Sequence, residues 1–371
     1  MRFLIACGGT GGHINPALSV AHALKKEGHE VLFVGAPWGL EKKLVPMEGF
    51  EIRLIDVRSL SHKISPKAIA RNIVVGFKIA SSLRKAGKIV KEWKPDAALG
   101  TGGYASYPTL RAAARHGVPV LLHESNAVPG ITTKMLASAA HMILVGHEAC
   151  RESYAQKDKV RVVGTPVKSE FFTADRTLVR DKLGLDNRPL IVSFFGSRGA
   201  REMNRCMAEM MALEAKSGQW QHIHAPSQEY FEWTKGLVAE GGVDLAEHPG
   251  LRVQDYIYNM AEVMAAADIV ICRSGASTLA ELMAARKPSI LIPSPNVVAD
   301  HQTSNAKALE ALGGALLLPD SEVTADKLYE LSDSLLRDRD KLDKMAGALR
   351  EACVQDSAQR IARFLIEAGE K

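Results

Sequence analysis

The sequence predicts an α/β protein made of two doubly wound, parallel-sheet domains. Three observations predict it. Short apolar runs alternate with amphipathic segments, the pattern of strands linked by crossover helices. The series runs to completion and then restarts at Leu190. Glycine-rich turns follow strands in both halves. With 371 residues, 46% hydrophobic and 24% charged, the chain has a globular composition and the length of two domains that can each bury a core.

The first strand is Phe3–Cys7. Asn15 then reads as an N-cap with Pro16 at the first helical position; Ala17, Leu18, Val20, Ala21 and Leu24 make the apolar stripe, and Gly28 ends the helix. Val31–Val34 is the second strand, and Asp96–Gly100, Pro119–His123, Met142–Val145 and Val160–Val163 continue the series. Gly164-Thr165-Pro166-Val167 marks the boundary, giving domains of residues 1–164 and 165–353. The second domain runs through strands at Leu190–Phe195, Gln221–His224, Leu251–Val253, Asp268–Cys272, Ser289–Ile292 and Ala315–Leu318. Residues from about 354 onward read as one more helix, with nothing in the pattern to say which domain it joins.

Composition narrows the function. Five scattered cysteines (Cys7, Cys150, Cys206, Cys272, Cys353) without a Cys-x-x-Cys pair argue against a disulfide framework or a zinc site and for a reducing cytoplasm. No stretch reaches the roughly 18 apolar residues of a transmembrane helix, and the apolar start gives way to glycine too soon for a signal peptide. Collagen, coiled-coil, disordered and secreted mini-protein classes are excluded. The net charge of +5 hides an asymmetry. Residues 1–164 hold 23 Lys and Arg against 12 acids, a net +11, and the remainder holds 24 against 30, a net −6. Within 58–94 ten basic residues stand with one acid, Glu92. Such a patch suggests an anionic partner.

Three glycine loops follow strands and open helices: Gly8-Gly9-Thr10-Gly11-Gly12-His13, Gly100-Thr101-Gly102-Gly103-Tyr104 and Gly196-Ser197-Arg198-Gly199. Their backbone N–H groups and helix dipoles suit anions at strand ends, where open α/β sheets bind ligands. The nicotinamide fingerprint fails, because Ile14 follows the loop and no acid ends the second strand; a Walker motif is absent. The second domain adds Arg273-Ser274-Gly275-Ala276-Ser277-Thr278-Leu279-Ala280-Glu281, where small residues leave room for a diphosphate and Glu281 can accept from ribose hydroxyls. His301 and Gln302, after the next strand, suit sugar hydroxyls.

This set, with His123-Glu124-Ser125-Asn126 and Gly164-Thr165-Pro166-Val167, resembles the MurG family over roughly residues 1–350. The resemblance implies a GT-B fold, two Rossmann-like domains facing an inter-domain cleft, with the C-terminal helix (about 354–371) returning to the first. It implies inverting transfer of N-acetylglucosamine from UDP-GlcNAc to the C4 hydroxyl of the muramoyl sugar of lipid I, giving lipid II for peptidoglycan. By the same resemblance Ile257 and Met260 meet the uracil. Ser197 and the helix start Ala276, Ser277, Thr278, Leu279 and Ala280 hold the diphosphate; Glu281 holds the ribose, and His301 and Gln302 the sugar. Thr10, Gly11, Gly12 and Asn126 close over the donor from the first domain, and Gly102, Gly103 and Tyr104 meet the acceptor diphosphate. Two positions depart from the family pattern: Phe195 replaces a glycine, and Lys168 replaces an arginine, a point charge for a bidentate fork.

The transfer needs a base for the acceptor hydroxyl. His13 has the right chemistry near neutral pH, and Glu124 is the other candidate, for base work or acceptor orientation. No Asp-x-Asp triplet stands at a strand end, so helix dipoles, without a metal or other cofactor, are expected to carry the diphosphate. The apolar-basic segment (Ile73, Val75 and Phe77 among Arg71, Lys78, Arg84 and Lys85) reads equally as a core-facing helix with a solvated basic face or as an interfacial helix. The lipid acceptor that the resemblance implies favours docking on anionic lipid at the cytoplasmic face of the membrane, with no nucleic-acid partner. The alternatives are another GT-B enzyme of UDP-sugars, such as a glycolipid synthase or a UDP-GlcNAc 2-epimerase, and a non-catalytic nucleotide-sugar sensor; a nicotinamide dehydrogenase is more distant.

Overall fold

The computed structural model describes residues 1–57, 66–196, 199–297 and 300–370, with side chains throughout except at 66–79. Ser197 therefore lies outside the described residues, as do the side chains of Arg71, Ile73, Val75, Phe77 and Lys78. The chain forms two compact units, Met1–Val167 with Val354–Lys371, and Lys168–Cys353.

The first unit is a seven-stranded parallel sheet: β1 (Arg2–Ala6), β2 (Glu30–Gly35), β3 (Glu51–Leu54), β4 (Ala97–Gly100), β5 (Val120–Glu124), β6 (Met142–Val145) and β7 (Val160–Val162). Their order is β3-β2-β1-β4-β5-β6-β7, so the direction of winding reverses beside β1. The crossovers carry α1 (Gly11–Lys26), α2 (Glu41–Met47), α3 (Pro66–Trp93), α4 (Ser106–Arg115), α5 (Ile131–Leu136) and α6 (Glu148–Arg151). The interior strands are largely apolar without alternation because helices cover both faces. Leu4, Ala6, Leu32 and Val34 pack on one side with Ala86, Ile89 and Val90 of α3. Phe3, Ile5 and Phe33 pack on the other with Leu18 and Leu24 of α1. The C-terminal helix Ser357–Gly369 completes that second layer, burying Ile361, Ala362, Leu365 and Ala368.

Two expectations change. Helix α1 begins at Gly11 with Thr10 as its cap, so Asn15 is not the N-cap and Pro16 lies inside. Pro16 sits early enough to remove only one ladder bond, to the Gly12 carbonyl. Edge strand β3, Glu51-Ile52-Arg53-Leu54, was not expected; its half-exposed, alternating side chains give no apolar run.

The second unit is a six-stranded parallel sheet ordered β10-β9-β8-β11-β12-β13. Its strands are β8 (Leu190–Phe194), β9 (Gln221–Ala225), β10 (Leu251–Val253), β11 (Ile269–Cys272), β12 (Ser289–Leu291) and β13 (Ala315–Leu317). Its helices are α7 (Glu170–Thr173), α8 (Arg176–Lys182), α9 (Arg201–Ser217), α10 (Phe231–Glu240), α11 (Met260–Ala266), α12 (Ala276–Ala285), α13 (His301–Ala311), α14 (Ala325–Arg337) and α15 (Arg339–Ala352). Both sheets thus present loop clusters at their carboxyl ends beside a winding reversal, the place where such sheets take ligands.

Candidate functional site

In the first unit the glycine loops after β1 and β4 are built against each other. Gly103 has φ +86°, and a Cβ there would overlap the Gly8 backbone. Thr101 Oγ1 donates to the His13 carbonyl at 2.7 Å, and Ser106 Oγ to the Ala6 and Gly102 carbonyls. His13 stands half-buried in the first turn of α1, its ring against Gly102. Its Nδ1 donates to the Gly8 carbonyl at 3.0 Å. A carbonyl only accepts, so this bond places the proton of the neutral ring on Nδ1 and leaves Nε2 with its lone pair. Thr10 is exposed and Gly11 and Gly12 half-exposed at the free N-terminus of α1. Tyr104 is exposed beside Trp38, the ring centroids 5.6 Å apart.

Glu124 ends β5 and is 5% exposed. Its Oε1 accepts from the Asn126 backbone N–H (3.1 Å) and side-chain amide (2.8 Å), and its Oε2 from the Gly130 N–H (2.9 Å) and Thr133 Oγ1 (2.7 Å). A substrate hydroxyl would compete with four donors, so this carboxylate is engaged in shaping the loop that carries Asn126. The preceding His123 is a core ring: burial pushes its imidazole below the usual range, and Nε2 donates to the Gly164 carbonyl at 3.0 Å.

In the second unit, the loops after β8, β11 and β12 surround a cavity of about 490 Å³ lined by Gly196, Arg273, Gly275, Thr278, Ser294 and Gln302, among others. Gly275 caps α12 in extended conformation, so the first N–H groups of that helix have no intrahelical acceptor and suit an anion. Gln302 ties two loops together: its Oε1 accepts from the Ser294 N–H at 2.8 Å and its carbonyl from Ser274 Oγ at 2.8 Å. His301 is the first residue of α13. Ser277 is half-exposed on α12, whereas Ala276, Leu279 and Ala280 are buried, so any contact they make with a ligand is through backbone. Ile257 is also buried, leaving its backbone as the recognisable part, and Met260 opens α11 beside it. The Tyr256 phenol is pushed up by burial and by the charges of Glu281 and Tyr258, and drawn down by Lys168.

The sequence assigned no role to Arg273, though it opens the motif after β11, nor to Arg201 or Glu41. Arg273 packs over the Phe195 ring and donates to the Ile292 and Pro293 carbonyls and to Asp320. Phe195, the departure from the family glycine, is thus core supporting the cavity wall. Arg201, at the start of α9, lines the cavity with its guanidinium 5.2 Å from the Trp233 ring centre. In the first unit Glu41 is fully buried beneath the first glycine loop. Arg273 was marked by its place at the head of the motif after β11, and Arg201 by the Gly-Ala-Arg run after the third glycine loop; Glu41 had no signal. Among the described residues no group of three or more His, Cys, Asp or Glu could hold a metal ion.

Two parallel-sheet domains with glycine loops at their strand ends suit an enzyme of nucleotide sugars, and the family models make the class a two-domain glycosyltransferase. Residues 3–145 match the glycosyltransferase family 28 N-terminal domain and residues 190–361 its C-terminal domain. The UDP-N-acetylglucosamine–N-acetylmuramyl-(pentapeptide) pyrophosphoryl-undecaprenol N-acetylglucosamine transferase of Acetivibrio thermocellus is 38% identical over 98% of this chain and 97% of its own length. Its namesake in Ruminiclostridium cellulolyticum is 39% identical over 99% and 100%. The crystal structure of Acinetobacter baumannii MurG matches with TM-score 0.75 at 28% identity, covering 99% of both chains. The chain belongs to this transferase family, the MurG glycosyltransferases.

Proposed function

We propose that the chain transfers N-acetylglucosamine from UDP-GlcNAc to the C4 hydroxyl of the muramoyl sugar of lipid I, giving lipid II. The observation that carries this is the near full-length likeness to transferases named for that reaction. The bond from the sugar's anomeric carbon to the UDP oxygen breaks, and a new bond to the acceptor oxygen forms from the opposite face. His13 Nε2 takes the hydroxyl proton, and UDP leaves with its charge on the α12 N-terminus. Backbone at Ile257 selects uracil, Glu281 holds the ribose, and His301 and Gln302 hold the sugar. Lys168 offers its charge to the diphosphate, and Asn126 with the Thr10-Gly11-Gly12 turn completes donor binding. Gly102, Gly103 and Tyr104 meet the acceptor diphosphate.

Incubation with UDP-GlcNAc and a lipid I analogue should release UDP and form the disaccharide in equal amounts. Consumption of UDP-GlcNAc without an acceptor would favour an epimerase instead. Glu281→Ala should weaken UDP binding about tenfold or more in calorimetry, because hydrogen bonds to a charged partner contribute roughly 1.5–3 kcal/mol. Unchanged affinity in the folded variant would sink the ribose assignment.

The enzyme works at the cytoplasmic face of the membrane, as a peripheral protein docked on anionic lipid through its first unit. Between α3 and α4 a cavity of about 480 Å³ is lined by Arg84, Lys88, Lys91, Arg115 and His116 with one acid, Glu92. Glu92 is already bonded to Arg53 and near Lys88, so the cavity keeps a positive excess. Arg84 and Lys85 are exposed, and each basic residue near an anionic surface contributes about 1 kcal/mol. Among the described residues no helix is long and apolar enough to cross a membrane. Changing Ile73, Val75 and Phe77 together to Ser should reduce sedimentation with anionic vesicles and activity on lipid-borne acceptor, while activity on a short-chain acceptor survives. Equal loss on both acceptors would mean that these side chains are core.

A further inference from the structure

A glutamate inside a domain core needs a reason, because an unpaired buried carboxylate is costly. Glu41, in the first turn of α2, is 0% exposed. Its Oε1 accepts from the Ala36 N–H at 2.8 Å and its Oε2 from the Gly9 N–H at 2.9 Å. A Cβ at Gly8, Gly35 or Gly39 would overlap this side chain, so the loops after β1 and β2 are shaped around it. No lysine, arginine or histidine forms an ion pair with it among the described residues; its partners are two peptide N–H groups.

The Gly9 N–H belongs to the same peptide unit as the Gly8 carbonyl. That carbonyl accepts from His13 Nδ1 at 3.0 Å. One planar peptide therefore joins the two side chains, its N–H bonded to a carboxylate and its C=O to an imidazole N–H. We propose that Glu41 positions and polarises His13 through the Gly8–Gly9 peptide, acting as the carboxylate of a carboxylate–histidine pair with a peptide unit between them. Negative charge at the N–H end enriches the carbonyl oxygen, as bonds in a chain strengthen one another. The enriched carbonyl fixes the Nδ1–H tautomer and steadies the imidazolium that forms when Nε2 takes the hydroxyl proton. No atom is exchanged with Glu41, which never touches substrate. Burial, and then the same charge, pushes the neighbouring Cys7 thiol up. The inference rests on His13 as the base.

The test uses the full-length protein, UDP-GlcNAc and a soluble lipid I analogue. Glu41→Gln keeps the shape, removes the charge and turns an amide N–H toward a peptide N–H. Turnover should fall about 10- to 100-fold, the scale of loss seen when the outer hydrogen-bond partner of a metal-bound histidine is removed. KM for both substrates should change far less than turnover, since Glu41 touches neither substrate and only supports the loop that carries the Thr10-Gly11-Gly12 turn. In a His13→Ala background the same change should cost nothing more, because Glu41 acts through His13. Glu41→Asp keeps the charge but leaves a gap; it should lose more thermal stability and less turnover than Glu41→Gln. A further loss in the His13→Ala background, or turnover that follows melting temperature across the variants, would overturn the proposal in favour of simple packing. If Glu41→Gln does not fold, Glu41→Asp with and without His13 decides the same question. Parental turnover in His13→Ala would remove the base and this link together, whereas a parent protein that makes no disaccharide would overturn the transferase function itself.

Discussion

His13→Ala is expected to lower turnover by about 10²–10⁴-fold while UDP-GlcNAc still binds. The loss is large because the acceptor hydroxyl cannot shed its proton unaided as the new bond forms. The ring is ready for this work. Nδ1 is occupied by the Gly8 carbonyl, so the remaining nitrogen carries the lone pair. Thr101 and Gly102 fix the ring's backbone and one face. Donor affinity should largely persist because most of the proposed donor contacts, the cavity with the α12 N-terminus among them, belong to the second unit. Single-turnover rates and calorimetry on the same preparation separate the two effects. Turnover near the parental value would make Glu124 the leading base instead.

Glu124→Ala is expected to act mainly on stability. Four donors lose their acceptor: the Asn126 N–H and side-chain amide, the Gly130 N–H and Thr133 Oγ1. Each buried donor left unsatisfied costs about 1–3 kcal/mol, and some will reach water, so a total of about 3 kcal/mol is a reasonable floor. For a unit of this size that lowers the melting midpoint by roughly 6–12 °C. Glu124→Gln keeps one acceptor oxygen and should lose less. A scanning calorimeter checks the order. An Ala variant that melts with the parent yet has lost turnover would show a chemical role for the carboxylate.

Most of the fold was legible because buried parallel strands read as apolar runs; β9, Gln221-His222-Ile223-His224-Ala225, departs from this, its histidines being buried in the core. Strand β3 escaped because an edge strand with Glu51 and Arg53 facing water alternates too weakly over four residues. The start of α1 was misplaced because Pro16 reads locally as a first helical residue, whereas Gly11 and Gly12 carry no side-chain signal for or against helix. The glycine loops and the α12 start announced themselves through residue types that only a close backbone approach requires. Glu41 did not: Leu40-Glu41-Lys42-Lys43 reads as the solvated start of a helix, and only packing turns that one acid inward. Arg273 and Asp320 were illegible as a pair for the same reason, being far apart in sequence and joined by the fold.

The C-terminal helix gives the chain an order of assembly. The layer formed by Phe3, Ile5, Leu18 and Leu24 is covered by Ile361, Ala362, Leu365 and Ala368. A ribosome makes the sheet of the first unit early and its last covering helix only after the whole second unit. At about 5–20 residues per second, the nascent first unit waits on the order of 10–40 s with an apolar layer uncovered. Chaperones and the membrane surface have that interval in which to meet it, and a premature stop anywhere in the second unit leaves both units damaged.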